Sequence, residues 1–172
     1  MKYTRFEELP VWQAAIKLGV RVYAFTSGDT FKGQSSLRDQ IERAAVSVSN
    51  NIAEGYERGT TQELLTFIYI ARGSAGEVRS MLCLFEQLPA FGDFKSEISN
   101  LKSLAENISR QLRAWADALQ NSDIKGQRYL NDKTRRIAQA TRDREAFREE
   151  LRRAQAANIT HAAAHVHTDD SD

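Results

Sequence analysis

The amino-acid sequence predicts an all-α protein. Apolar residues recur at steps of three and four in four separate segments, which is the spacing that places side chains on one face of a helix. The 172 residues include only two prolines, and no useful length of sequence alternates apolar and polar residues as a half-buried strand does. With 41% hydrophobic residues, the chain is long enough to bury one core and too short for two ordinary domains.

The second and third predicted helices form a hairpin around which the chain is organised. Gly55 and Gly59 are typical of a helix end, and Thr60 with Glu63 three residues later is the pattern of a capping box. The second helix has the apolar positions Leu37, Ile41, Ala44, Val48 and Ile52. The third has the apolar positions Leu64, Ile68, Ala71, Ala75, Val78, Leu82 and Phe85. Alternating steps of four and three over this length are typical of helices that pack with nearly parallel axes.

The first helix is predicted to run from Pro10 to about Thr26, because proline is favoured in a first helical turn and a Ser-Gly-Asp break follows. Its predicted apolar face consists of Trp12, Ile16, Gly19, Val22 and Tyr23. Phe31, in the connection to the second helix, is expected to pack against the helices.

The fourth helix has the most regular apolar pattern in the sequence. Its positions are Phe94, Ile98, Leu101, Ala105, Ile108, Leu112, Trp115 and Leu119. Pro89 is expected to end the third helix, and Asp93 is expected to cap the fourth. Ser35 or Ser36 is the expected cap of the second helix.

Several short motifs resemble one protein family. They are RAAVSV from Arg43 to Val48, NIAEG from Asn51 to Gly55, YIARGS from Tyr69 to Ser74 with Glu77, and FEELPVW from Phe6 to Trp12. Over roughly residues 5 to 120, the chain resembles the four-helix-bundle proteins encoded in intervening sequences of bacterial 23S ribosomal RNA. That family is related to the accessory variability determinants of diversity-generating retroelements, which work beside a reverse transcriptase.

The resemblance implies a fold, an assembly and a class of partner. The implied fold is an all-α, up-and-down antiparallel four-helix bundle, here followed by a C-terminal charged helical extension. The family commonly forms ring-shaped homopentamers, has no known catalytic activity and is expected to contact nucleic acid. A homo-oligomer, with a pentamer favoured, and a role beside a reverse transcriptase are therefore what the resemblance implies for this chain.

Cysteine content and hydropathy predict the compartment. The single cysteine, Cys83, cannot form an intramolecular disulfide or a cysteine metal cluster, which fits a reducing environment. No apolar run approaches the length of a membrane span, and the first eight residues are polar and charged, unlike a signal peptide. A cytoplasmic protein without membrane contact is expected.

The sequence does not predict an enzyme. Gly73 and Gly76 lie inside a helical pattern and do not follow a strand, so they do not form a phosphate loop. Cys83 has no histidine near it in sequence and is expected to be a packed, inert thiol. The three histidines, His161, His165 and His167, could capture a metal weakly, but a tail offers no rigid second shell. No catalytic residue, metal or cofactor is expected.

Five polar residues on or near the hairpin form a candidate structural polar network. They are Arg43, Asn51, Glu54, Arg72 and Glu77. One interpretation is that they set helix register or a subunit contact, as buried polar groups do in helical assemblies. Active-site carboxylates are the other interpretation, although no partner motif supports it.

The chain is predicted to divide into a four-helix bundle at residues 1–121, a basic helical extension at 122–159 and a disordered acidic tail at 160–172. Residues 1–119 carry 14 basic and 14 acidic residues, whereas 120–157 carry 10 basic and six acidic residues. The candidate nucleic-acid-binding residues are Lys133, Arg135, Arg136, Arg142, Arg144, Arg148, Arg152 and Arg153. Guanidinium groups bind phosphates, but neighbouring glutamates also suit a solvated, self-paired helix, so both interpretations stand.

These observations lead to two functional hypotheses. The first is a non-catalytic oligomeric adaptor that binds RNA or an RNA–DNA hybrid through phosphate contacts, as an accessory to a reverse transcriptase. The second is a structural protein–protein interaction module with no intrinsic affinity for nucleic acid.

Overall fold

The computed structural model of the chain describes residues 3–121, 140, 143–150 and 152–153. Every regular element in this part of the chain is helical, which confirms the predicted all-α class. The chain divides into two compact units, Met1–Arg128 and Tyr129–Asp172. We call residues 3–121 the helical core. Among the described helices, none combines the length and the apolar character that crossing a membrane requires.

Four long helices form the helical core: α1 (Pro10–Thr26), α2 (Ser35–Glu57), α3 (Thr61–Gln87) and α4 (Lys95–Gln120). Short 3₁₀ turns occupy Phe6–Glu8, Asp29–Phe31 and Pro89–Phe94. α2 packs against α1 and α3, and α4 packs against α3 and α1, so each helix contacts two others around one core.

Two contacts between side chains show the relative direction of α3 and α4. Lys102, early in α4, donates a hydrogen bond of 2.7 Å to Glu86, which lies at the end of α3. Gln120, the last residue of α4, donates one of 2.9 Å to the hydroxyl of Tyr69, near the start of α3. These two helices therefore run antiparallel.

The predicted apolar positions of α3 and α4 account for much of the core. All seven predicted positions of α3 are fully buried, with 0% of their surface exposed. In α4 the five central positions are also fully buried, whereas Phe94, Trp115 and Leu119 are partly buried. Four of the five predicted positions of α2 are buried, and Leu37 packs at the edge. Burying such side chains is the main favourable contribution to folding.

The predicted apolar face of α1 is wrong at most positions. Only Val22 is buried, and Ile16 and Tyr23 are 40% and 48% exposed. The face that enters the core consists of Val11, Ala15, Leu18, Val22 and Phe25. α1 thus carries two apolar stripes, and the stripe that ends at Phe25 is the one buried in the core. The ring of Phe25 packs among other phenylalanines.

A cluster of phenylalanines closes one end of the core. Phe85 and Phe91 stack with ring centroids 4.7 Å apart, and Phe31 meets both edge-on at 5.6 and 5.1 Å. Phe31 is only 3% exposed, so its predicted packing against the helices is confirmed. Phe25 and Phe94 complete the cluster. It anchors the connections on both sides of the α2–α3 hairpin to the core.

The helix beginnings follow the predictions only in part. At α3 the backbone N–H of Glu63 donates to the Thr60 hydroxyl oxygen at 3.2 Å, as a capping residue requires. At α2 the cap position is Gln34, without a side-chain cap bond, and Ser35 is already helical. At α4 the 3₁₀ turn runs through Asp93 to Phe94, so Asp93 does not cap this helix.

Gly55 lets α2 and α3 approach closely next to their connection. A Cβ atom at this position would lie 2.6 Å from the Cβ of Phe67, a distance that real side chains essentially never show. Gly55 is itself buried within α2. Here the glycine is required by close packing of helices, since its φ is not positive.

Candidate functional site

Two of the five predicted polar residues lie on the outer seam between α2 and α3. The amide nitrogen of Asn51 donates to the Ser47 carbonyl oxygen at 2.7 Å and lies 2.9 Å from the Ser47 hydroxyl oxygen. The Ser47 hydroxyl in turn lies 2.9 Å from that of Ser74 and so joins the two helices. Glu77 accepts a hydrogen bond of 3.3 Å from Gln40, one further step along the seam.

The other three residues have different surroundings. Glu54 pairs with Arg58 one turn later on α2, and the Arg58 guanidinium lies 4.9 Å from the centre of the Phe67 ring. Neither Arg43 nor Arg72 forms a hydrogen bond or an ion pair with the described part of the chain. Arg43 is exposed, whereas Arg72 is half-buried.

An open hollow on α2 brings three of the five together. It has a volume of about 370 Å³ and is lined by Arg43, Asn51 and Glu54, with Tyr23 of α1 at its side. Arg72 and Glu77 do not line it. The arrangement puts one guanidinium and one carboxylate at the rim of a shallow polar surface, which suits a contact with another macromolecule more than the enclosure of a small substrate.

An apolar groove between α1 and α2 adjoins this hollow, and it was not predicted from the sequence. The groove has a volume of about 490 Å³ and is lined by Ile16, Gly19, Val20, Tyr23, Val46, Ser49 and Asn50. Val20 is 64% exposed, more than any other large apolar side chain described. The signal that could have revealed it is the second apolar stripe of α1, whose residues Ile16, Gly19 and Tyr23 were predicted to face the core.

The outward face of α3 is a second apolar surface. Tyr69, Ile70 and Leu84 are 43%, 46% and 46% exposed. Gly73 and Gly76 lie among them, and a Cβ atom on either would meet nothing within 4 Å. Packing among the described residues therefore does not require these glycines, in contrast to Ala71 and Ala75 of the same helix, which are fully buried.

Cys83 also lies at this side of α3, and its predicted burial is wrong because the thiol is exposed. It is close enough to Lys102 to contribute to the raised pKa of that ammonium group, although the hydrogen bond from Lys102 to Glu86 is the main cause. The position is a helix surface and does not enclose the thiol.

Four of the eight predicted nucleic-acid-binding residues lie in the described part of the C-terminal unit, where residues 143–150 and 152–153 are helical and exposed. Arg153 and Arg152 lie 3.5 and 3.9 Å from the carboxylate of Glu149, and both arginine side chains remain 80% exposed. Such exposed ion pairs hold a side chain weakly, so these guanidinium groups stay accessible to a ligand. Arg144 and Arg148 are exposed as well.

Other predicted positions lie outside the described residues. They are Lys133, Arg135, Arg136 and Arg142 among the basic residues, and the three histidines His161, His165 and His167. Within the part of the chain that the structure describes, no three His, Cys, Asp or Glu side chains are grouped as a metal site requires.

Comparison with known proteins supports a family assignment. A solved structure of a protein with unknown function from the S23 ribosomal protein family of Bacteroides thetaiotaomicron VPI-5482 superposes with a TM-score of 0.54 at 16% identity. The match covers 62% of this chain and 97% of that chain, and at this identity the likeness concerns the fold alone. No curated protein matches the sequence. The sequence profile of the 23S rRNA-intervening sequence proteins matches residues 7–114, more than half of the chain, and the protein therefore belongs to that family.

Proposed function

We propose that the protein is a non-catalytic, oligomeric adaptor that contacts the phosphate backbone of RNA or of an RNA–DNA hybrid through its C-terminal arginines. The observation that carries the proposal is the exposure of Arg144, Arg148, Arg152 and Arg153, of which the last two make only long contacts to Glu149. Accessible guanidinium groups bind phosphate oxygens in pairs without reading base sequence. In this role the chain needs no cofactor, metal or catalytic residue.

The assembly multiplies this contact. The helical core is proposed to be an up-and-down antiparallel four-helix bundle that forms a homo-oligomer, with a pentamer favoured from the family resemblance. Residues 120–157 carry four more basic than acidic residues, and each subunit of a ring adds its own copy. Several weak contacts that are linked together bind a ligand far more tightly than any one of them alone. A ring therefore binds nucleic acid with useful affinity even though each subunit carries only a modest positive charge. A cytoplasmic role as an accessory to a reverse transcriptase fits such an adaptor.

A structural protein–protein interaction module is the alternative. The exposed apolar groove between α1 and α2 favours it, since contiguous apolar surfaces of this kind mark protein contacts. In that case the C-terminal arginines only provide their helix with a charged surface that faces solvent.

Binding measurements with the full chain separate the two functions. Fluorescently labelled structured RNA, single-stranded DNA and an RNA–DNA hybrid are titrated across a salt series, with the wild type and with a variant that replaces Arg144, Arg148, Arg152 and Arg153 by Ser. Each lost phosphate contact reduces the salt slope by about 0.7 to 0.9, so the adaptor predicts a slope smaller by roughly three and weaker binding to all three ligands.

The matched control removes the same charge from the helical core by replacing Arg38, Lys95, Arg110 and Arg113 with Ser. The adaptor predicts that this variant retains most of the wild-type affinity. An equal loss in both variants would show that net charge alone binds the nucleic acid. No binding by the wild type near physiological salt would support the protein–protein module.

A further inference from the structure

The groove between α1 and α2 has no partner among the described residues of the helical core. Its apolar side chains come from both helices, and those of α1 repeat at steps of four and three from Ile16 through Val20 to Tyr23. This is the spacing of a complete helix face, of the same kind as the face that α1 buries in the core. A second buried face is what this pattern predicts, and the described residues of the helical core do not bury it.

Glycines inside the helices point to the geometry of that contact. Glycine is unfavourable in a helix interior unless something approaches the backbone closely. Gly55 meets this condition, with Phe67 of α3 beside it. Gly19 in the groove and Gly73 on α3 do not, because a Cβ atom on either meets nothing within 4 Å in the described part of the chain. Both lie on exposed apolar surfaces, so a neighbouring helix would explain both.

The groove and the outward face of α3 differ in shape and occur on the same chain. The groove is a concave surface between two helices, whereas Ile70, Gly73 and Leu84 lie along the outside of one helix. A contact between unlike surfaces of identical subunits is heterologous, and it closes into a ring when the rotation between subunits is a simple fraction of a turn.

The heights of the two surfaces along the helices agree. The hydrogen bond between Ser47 and Ser74 joins two short side chains and so places these two residues at the same level of the antiparallel hairpin. Asn50 of the groove, about one turn beyond Ser47, is therefore near the level of Ile70, about one turn before Ser74. Rotation about an axis parallel to the helices changes no residue's height, so in a ring about that axis these levels meet.

Charge is complementary along the same edge. Arg43 lies at the rim of the hollow beside the groove and makes no ion pair in the described part of the chain. Glu77 is exposed on α3, and it accepts a hydrogen bond from the neutral amide of Gln40. Arg43 lies about one turn before Ser47 and Glu77 about one turn after Ser74, so in antiparallel helices the two residues are at nearly the same level.

We propose that the α1–α2 groove of one copy of this protein receives the outward face of α3 of the next copy, with Val20 against the region of Ile70 and Gly73, and Arg43 against Glu77. The proposal rests on the oligomeric part of the proposed function and gives that oligomer a specific, heterologous interface. It also assigns a role to Arg43 and Glu77, which do not contact each other within a subunit.

The test uses the full chain and two single variants, Val20→Arg and Ile70→Arg. Both positions are exposed in the subunit, so circular dichroism is expected to show a wild-type fold. Light scattering is expected to show a multimer for the wild type and a monomer for each variant. An equimolar mixture of the two variants is expected to form dimers, because one retains an intact groove and the other an intact α3 face.

The control is Phe147→Arg, an equally drastic change at an exposed apolar residue of the C-terminal unit, and it is expected to keep the wild-type mass. A monomeric wild type, or a mixture that stays monomeric, would overturn the proposal. Dissociation by Val20→Arg alone would show a contact between two grooves instead.

The charge pair offers a second measurement. Arg43→Glu and Glu77→Arg are each expected to raise the protein concentration at which the multimer dissociates, and the double variant is expected to reverse much of this rise. An additive loss in the double variant would exclude this pairing. None of these readouts involves nucleic acid, so a failure of RNA binding leaves the result on the interface unaffected.

Discussion

α1 and α4 line the same core, but they use their apolar residues differently. α4 has one apolar stripe, and its central positions are all buried. α1 has two, of which one is buried and the other, including Val20, remains exposed. A helix with one stripe serves only its own fold, whereas a helix with two has surface for a second contact.

The largest expected effect tests which stripe of α1 stabilises the subunit. Leu18→Ala and Leu112→Ala remove fully buried side chains, and each is expected to lower the free energy of unfolding by about 2–5 kcal/mol. Val20→Ala is expected to change it by no more than about 0.5 kcal/mol. Urea denaturation in an Ile70→Arg background measures all three without a contribution from assembly. If Val20→Ala lowered the free energy of unfolding as much as Leu18→Ala, the assignment of the two stripes would be contradicted.

A smaller effect on stability is expected when alanine replaces a glycine in closely packed surroundings or one in open surroundings. Gly55→Ala forces a new methyl group against Phe67 and is expected to destabilise the subunit by about 1–3 kcal/mol. Gly19→Ala meets open space and is expected to stabilise the same background by about 0.4–1 kcal/mol, since alanine is the better helix former. Thermal unfolding of the two variants gives the sign of each change. Destabilisation by Gly19→Ala would reveal a contact in the groove within the subunit.

A third prediction concerns the ion pair that joins α1 to α4. The guanidinium of Arg21 donates to both carboxylate oxygens of Glu97, at 2.7 and 2.8 Å, while both side chains remain about one-third exposed. Solvent screening limits the interaction free energy of such an ion pair. A double-mutant cycle with Arg21→Ala and Glu97→Ala is therefore expected to give a coupling free energy of about 0.2–1 kcal/mol. High salt is expected to reduce it. A coupling that salt does not change would point to packing by the arginine stem instead.

The smallest effect is a dependence on pH at the start of α1. The backbone N–H of Thr4 donates to the carboxylate of Glu8 and lowers its pKa, and the guanidinium of Arg5 does the same for Glu7. Their contribution to stability is present above the ordinary glutamate pKa and is lost as the pH falls through the lowered values. Acid is therefore expected to loosen the turn before α1 first, and nuclear magnetic resonance of Glu8 can follow this. Glu8→Gln is expected to remove most of the change.

Much of the helical core could be predicted because α3 and α4 each present one regular apolar stripe with polar residues around it. Periodicity then identifies the buried face without knowledge of any neighbour. For α1 it could not, because Ile16, Val20 and Tyr23 are spaced as suitably as Val11, Leu18 and Phe25. The choice between them depends on contacts distant in sequence, such as that of Phe25 with Phe85.

The candidate surfaces were harder to predict than the fold. The seam through Ser47 and Ser74 depends on the register of two helices, and the exposure of Gly73 depends on what lies opposite it. Neither is encoded in a short motif. Asp93 was expected to cap α4 because its residue type suits a cap, but the phenylalanines on either side hold the chain in a 3₁₀ turn. Packing there outweighs the local preference of one side chain.

The short connection between α2 and α3 affects the order of folding during synthesis. Only residues 58–60 separate the two helices, and closing so short a loop takes well under a microsecond. A ribosome adds roughly 5–20 residues per second, so the hairpin has time to form and dissolve many times before α4 emerges. The phenylalanine cluster requires Phe91 and Phe94, which are synthesised later. We therefore expect the hairpin to act as the template on which α4 completes the subunit.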